Sequence, residues 1–217
     1  PYVSSGIKIT RIEVWVTNKN GRFNESRNLV SFIDLGESKV LANDIWRTSP
    51  ENDLPTNNAN SLMATMKSDE FKDARNINMV TQVLAKLQDV GFEGGKDYEK
   101  VESARLLSSS EYTLNSTLGY ISLKSALNTD EVLAVAYEYT YNGQVYQVGE
   151  FSSDITTTAD ALFVKMLRGT TVSTALPTWK LMMKNVYNLG GNQIQKSNFK
   201  LNIKFLSDTT GTEIVYL

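Results

Sequence analysis

The sequence predicts an α+β fold: mainly antiparallel β-sheets, sandwich-like, with about four helices packed at their faces or edges. Three observations predict it. Leu133, Val135, Tyr137, Tyr139 and Tyr141 alternate strictly with other residues and stop at Asn142-Gly143, which is a strand running into a hairpin turn. Ile77, Val80, Leu84 and Leu87 recur at helical spacing, the stripe of a one-sided helix. The 217 residues are 41% hydrophobic and 21% charged, an ordinary globular balance, and no apolar run reaches the ~20 residues of a membrane helix. A single domain over 1–217 is expected, or two lobes, 1–95 and 96–217, meeting at Gly91–Lys96.

Residues 7–17 are β-branched and aromatic. Their apolar phase moves from odd (Ile7, Ile9) to even (Ile12, Val14, Val16), so a bulge is expected near Thr10–Arg11. After a polar turn, Leu29–Leu35 reads as a buried strand closed by Gly36. Residues 42–62 are loop-like, with Trp46 pinning them to the body, and 61–67 reads as a short helix. The Ile77–Leu87 helix has Asn76 or Asn78 at its start and Gly91 where a left-handed terminator belongs.

Residues 98–151 read as a β-meander ending in the hairpin, with Tyr139 facing Tyr146 and Tyr137 facing Val148 across an Asn-Gly turn. Residues 158–168 are expected as a helix stopped by Gly169. A second starts at Pro177 with Trp179, Met182, Met183, Val186 and Tyr187 on one side and Gly190 beyond. Phe199, Leu201, Ile203 and Phe205 alternate with Lys and Asn as a strand, and Asp208–Thr212 turns into a last strand at 213–217.

Composition narrows function. The net charge is −2, without the basic footprint that phosphate backbones require, so nucleic acid is not an expected partner. Cysteine and histidine are both absent, which removes disulfides, thiolate chemistry and the usual proton shuttle and transition-metal ligand. No enzyme activity, cofactor or metal is expected. The start at Pro1-Tyr2 and the end on Ile214–Leu217 read as a segment cut from a longer exported chain.

The short motifs are weak. Gly91–Asp97 has the wrong glycine spacing for a phosphate loop and carries Asp where the magnesium-binding hydroxyl belongs, so a helix terminator and turn is expected. Asn18–Gly21 lacks the repeated Asp and the closing Glu of a calcium loop. Asp130, Glu131 and Asp154 would serve a glycosidase only if the fold paired two of them. Phe199–Leu206 alternates as a transmembrane barrel strand does, but a half-exposed strand in a water-soluble domain explains it better. The face bearing Tyr137, Tyr139, Tyr141 and Tyr146 is the one candidate contact site, either a platform for a sugar or peptide, or a sheet face packed under helices. Packing is the stronger expectation, because Leu133 and Val135 continue the stripe into the core. The stripe of Trp179, Met182, Met183 and Val186 is likewise read as core first and partner groove second.

Three long stretches carry more weight: KITRIEVWVTNKNGRFNESRNLVSFIDLGE (8–37), GGKDYEKVESARLLSSSEYTLNSTLGYISLKSALNTDEVLAVAYEYTYNGQVYQVGEFS (94–152) and LPTWKLMMKNVYNL (176–189). Together they resemble the SprA/Sov family of large gliding-motility and secretion proteins, the outer-membrane translocons of type IX secretion. The resemblance implies a soluble insertion in a very large β-barrel protein. Such an insertion would shape the vestibule or cap of the pore and contact secreted cargo or accessory subunits, with the cell-surface side favoured over the periplasmic. It implies no catalytic residues. The alternative is a carbohydrate-binding module that uses the tyrosine face.

Overall fold

The computed structural model describes residues 6–19, 21, 26–183, 195, 197, 199, 200, 202, 204–206, 211 and 213–215. They fall into two compact units, 1–182 and 183–217.

In the first unit, β1 (Ile7–Val16), β2 (Ser26–Phe32), β3 (Tyr98–Leu106), β6 (Leu133–Tyr141) and β8 (Leu162–Arg168) form one ring. Around it the order is β1-β3-β2-β8-β6, and β6 pairs back onto β1. Every neighbour is antiparallel except β2 and β8, which run parallel from Leu29↔Leu162 to Phe32↔Lys165. The sheet therefore closes into a five-stranded barrel instead of stacking as a sandwich. A sixth strand, β7 (Gln144–Val148), hangs from the far half of β6, and β4 (Tyr112–Asn115) and β5 (Tyr120–Leu123) make a separate hairpin. The expected meander is corrected accordingly: β3 pairs with β1 and β2, not with the strand that follows it.

Side-chain size explains the closure. Trp15, Leu29, Val101, Ala104, Ala134, Ala136, Leu162 and Val164, drawn from all five strands, fill the interior. Alanines on β3 and β6 leave room for the indole of Trp15, so the strands can curl around one large ring. Register shifts between Ile9 and Arg11 on β1, Arg27 and Leu29 on β2, and Leu133 and Ala134 on β6 provide bends. The first is the bulge expected at Thr10.

The outer wall is covered twice. Val30, Phe32, Phe163 and Val148 pack beneath the segment from Trp46 to Phe92. Val14, Val16 and Val135 pack beneath Leu107 and the β4–β5 hairpin. The barrel takes strands from both sides of Gly91–Lys96, since β1 and β2 precede it and β3, β6 and β8 follow it.

Helix is scarcer than expected. Among the described residues there are three helices: α1 (Leu62–Met66), α2 (Val80–Leu84) and α3 (Thr178–Leu181). Only α2 exceeds two turns, and it does so by tightening into 3-10 geometry over Ala85–Val90 before Gly91 ends it at φ 79°. Val80 and Leu84 of the expected stripe are buried on α2, but Ile77 is buried in the turn before it and Leu87 is half-buried in the 3-10 turn. The helix therefore starts later than expected, at Val80, and neither Asn76 nor Asn78 caps it. The expected 158–168 helix is instead β8. Leu162 and Val164 point into the barrel while Phe163 packs outside, and a continuous apolar run is how a strand buried on both faces reads. The Pro177 helix is a single turn that gives way to extended backbone at Met182; Val186, Tyr187 and Gly190 lie outside the described residues.

In the second unit, β9 (Lys204–Leu206) pairs antiparallel with β10 (Glu213–Val215). The expected strand residues Leu201 and Ile203, most of the Asp208–Thr212 turn and the terminal Tyr216-Leu217 lie outside the described residues. No described helix is long and apolar enough to cross a membrane.

Candidate contact face

The tyrosine face is built by the β6–β7 hairpin. Asn142 and Gly143 both take positive φ, 50° and 76°, the geometry of a tight turn matched to strand twist. The register sets Tyr139 opposite Tyr146 and Tyr137 opposite Val148, as expected. Tyr137, Tyr139 and Tyr146 stack in a ladder, with ring centroids 6.2 Å and 5.2 Å apart and planes within 30° of parallel. Tyr141 stands apart from this ladder: its ring is 3.2 Å from where a Cβ on Gly6 would lie.

The ladder is not an open platform. Tyr139 is 2% exposed and its hydroxyl donates to the Pro55 carbonyl at 2.7 Å. Tyr137, Tyr141 and Tyr146 are half-buried. Burial pushes the Tyr139 phenol up to about 12 and the Tyr137 phenol upward as well. Loop 48–60 covers the Tyr139 end of the face, while Tyr137 packs against the cluster to which α1 and α2 contribute Leu62, Met63, Val80 and Leu84. Asn57 stitches that loop to the outer edge of β7. Its side chain accepts the Gly149 N–H at 2.7 Å and donates to the Gly149 carbonyl at 3.1 Å, while its own N–H donates to Gln147 at 2.8 Å.

The same loop is anchored beneath by groups that no motif marked. Leaving β2, the chain turns at Gly36 (φ 78°), where a Cβ would sit 2.6 Å from a Val148 methyl. The buried Asp34 carboxylate accepts the N–H groups of Ala42 at 2.6 Å and Asn43 at 2.9 Å. Asn60 Nδ2 donates to the carbonyls of Asp34 and Glu37 at 2.7 and 2.6 Å. Lys165, buried on the outer wall of β8, donates to the Ile33 carbonyl and pairs with Glu37 at 2.8 Å. Burial raises the Asp34 carboxyl to about 6; the two backbone donors and Lys165 pull the other way, and Asp97 adds to the rise.

Two further buried ions are structural. Arg27 reaches the carbonyls of Ser152, Ile155 and Thr157 at 3.0–3.1 Å and so fixes the loop between β7 and β8. Glu150 receives both arms of Arg75, at 2.7 and 2.9 Å, and the Phe163 N–H at 3.0 Å. Burial alone would raise its carboxyl, but those donors hold it below the ordinary range.

The other sequence candidates have local employment. Asp130 pairs with Lys19, Glu131 accepts the Asn128 N–H at 2.6 Å, and Asp154 accepts the Phe151 N–H at 3.0 Å and Gln147 Nε2 at 2.7 Å. In Gly91–Asp97, the donors that a phosphate would need are turned inward. The Glu93 N–H bonds the Asp97 carboxylate at 2.9 Å and the Asp97 N–H bonds the Glu93 carbonyl at 2.8 Å. On the 178–183 segment Trp179 is half-buried, whereas Met182 and Met183 are exposed. No protein-family model and no curated protein matches the chain.

Proposed function

We propose that this chain is a contact module of a large outer-membrane protein-export channel of the type IX secretion kind, acting through shape and surface without bond chemistry. One observation carries the proposal. The three stretches that resemble the SprA/Sov family supply β1, β2, β3 and β6, four of the five barrel strands, together with the β6–β7 hairpin. The resemblance therefore lies on the residues that make the body of the domain. In the proposed role, the barrel shapes the vestibule or cap of the pore on the cell-surface side. The half-buried rims of Tyr141 and Tyr146 then offer contacts to secreted cargo or accessory subunits.

A stiff body suits such a role. Buried ions cross-tie β2, β8 and the covering loops, and ties of this kind resist local opening. The carbohydrate alternative needs a flat exposed aromatic face, and burial of Tyr139 under Pro55 leaves it only the rims.

The test is in-frame removal of residues 1–217 from the parent protein, with the parent's outer-membrane level checked by blot. Export of cargo and surface gliding are expected to fall while the parent remains in the membrane. Unaltered export at a normal parent level would overturn the proposal.

A further inference from the structure

We infer that the outer edge of β7 is a strand-addition site for an extended segment of a partner polypeptide, and that Asn57 stands in for part of that segment. Closing a sheet into a barrel removes its edges, and here every ring strand has a neighbour on each side. β7 lies outside the ring and pairs with β6 alone, so it gives the sheet an edge again.

The hairpin fixes which groups face outward. Tyr141↔Gln144 flanks the two-residue turn, so Gln144, Tyr146 and Val148 exchange hydrogen bonds with β6. Val145 and Gln147, which alternate with them, turn their N–H and carbonyl groups away from β6. The Asn57 N–H meets the Gln147 carbonyl on that outer side.

Nothing on the strand blunts this edge. Gln144–Val148 holds no charge, proline or bulge, which are the usual devices against unwanted pairing. Val145 is 61% exposed. Its N–H and carbonyl and the Gln147 N–H have no protein partner among the described residues.

Asn57 shows what the edge accepts. Residues that face each other in an antiparallel pair exchange two N–H···O bonds. The Asn57 side chain does the same with Gly149: Oδ1 accepts its N–H at 2.7 Å, and Nδ2 donates to its carbonyl at 3.1 Å. Gln147 Nε2 also reaches that carbonyl, at 2.9 Å. An amide is thus already seated where the backbone amide of an added strand would lie. The row it starts continues unfilled through the Gln147 N–H and both groups of Val145. The occupant this pattern fits is a polypeptide backbone, with a β-branched residue favoured opposite Val145.

The test titrates the ¹⁵N-labelled chain with acetyl-Thr-Val-Thr-Val-Thr-amide and with the same peptide methylated at every backbone nitrogen, which keeps the side chains and loses the donors. Saturable shifts at the Val145 and Gln147 amides are expected for the first peptide at millimolar concentration, with the methylated one weaker by about tenfold. Val145→Pro should abolish binding and leave the hairpin intact, because the N–H it removes is not part of the β6–β7 ladder. Asn57→Ala, which releases the Gly149 N–H, should tighten binding about threefold. Equal binding of the two peptides by the natural chain, or no shift at these amides, would overturn the inference whatever the variants do. So would undiminished binding by V145P, or binding by N57A that is no tighter. Shifts that follow protein concentration without peptide would assign the edge to a second copy and overturn it as well. None of these results depends on the parent of the chain.

Discussion

Lowering the pH from about 7 to about 5 should stabilise this protein, and Asp34 is the main reason. Its carboxyl titrates near 6 in the fold, against an ordinary 3.8. The folded chain therefore holds a proton that the unfolded chain has already released, and stability is lost as pH rises through 6. The full gap corresponds to about 3 kcal/mol, of which about 1 kcal/mol falls between pH 7 and pH 5. Asp97, raised chiefly by its burial, acts in the same direction. Glu150 and Glu111 act oppositely, but their ordinary value is 4.5, so their contribution is lost only below the window. Urea unfolding followed by tryptophan fluorescence reads the effect, and at about 2 kcal/mol per molar the midpoint should rise by roughly 0.5 M. Asp34→Asn should flatten most of the slope. A wild-type midpoint that stays level or falls toward pH 5, or a D34N slope equal to wild type, would refute the reasoning.

Four other substitutions test the packing. Gly36→Ala drives a Cβ into Val148 at a backbone angle that disfavours any side chain, and should cost about 2–3 kcal/mol; Gly143→Ala, with open space around it, should cost about 1 kcal/mol. Equal shifts in thermal midpoint for the pair would show that the Val148 contact is unimportant. Arg75→Ala leaves the buried Glu150 carboxylate with Lys67 and one N–H, an expected loss of about 3–5 kcal/mol in urea unfolding. Tyr139→Phe removes the bond to Pro55 and should cost about 1 kcal/mol, with faster amide exchange confined to loop 48–60.

Local chemistry was legible in the sequence, and long-range pairing was not. Asn142-Gly143 fixed its hairpin because only one turn family accepts two positive φ angles in succession, and the phase change at Thr10 marked its bulge because side chains alternate with period two. The ring closure had no local signal. It depends on Leu29 meeting Leu162 and on Ala134 and Ala136 making room for Trp15, and spacing within a segment says nothing about which distant segment lies beside it. The run Leu162–Arg168 satisfied helix and strand templates alike, and only burial on both sides decides between them. The anchors of the covered face were invisible for a different reason. Asp34, Asn60, Arg27 and Lys165 look like surface residues until the loops that need their hydrogen bonds are in place.

The parallel seam between β2 and β8 sets the order of assembly. A chain emerging from its amino terminus can pair β1, β2 and β3 early, but the bare flanks of β2 and β6 stay open until Leu162–Arg168 has emerged. Bringing together segments more than a hundred positions apart makes this the slow, final stitch, and until then two sticky edges are offered to any passing strand. A piece ending at residue 161 should therefore be recovered as aggregates, although nearly all of the core-forming residues are present.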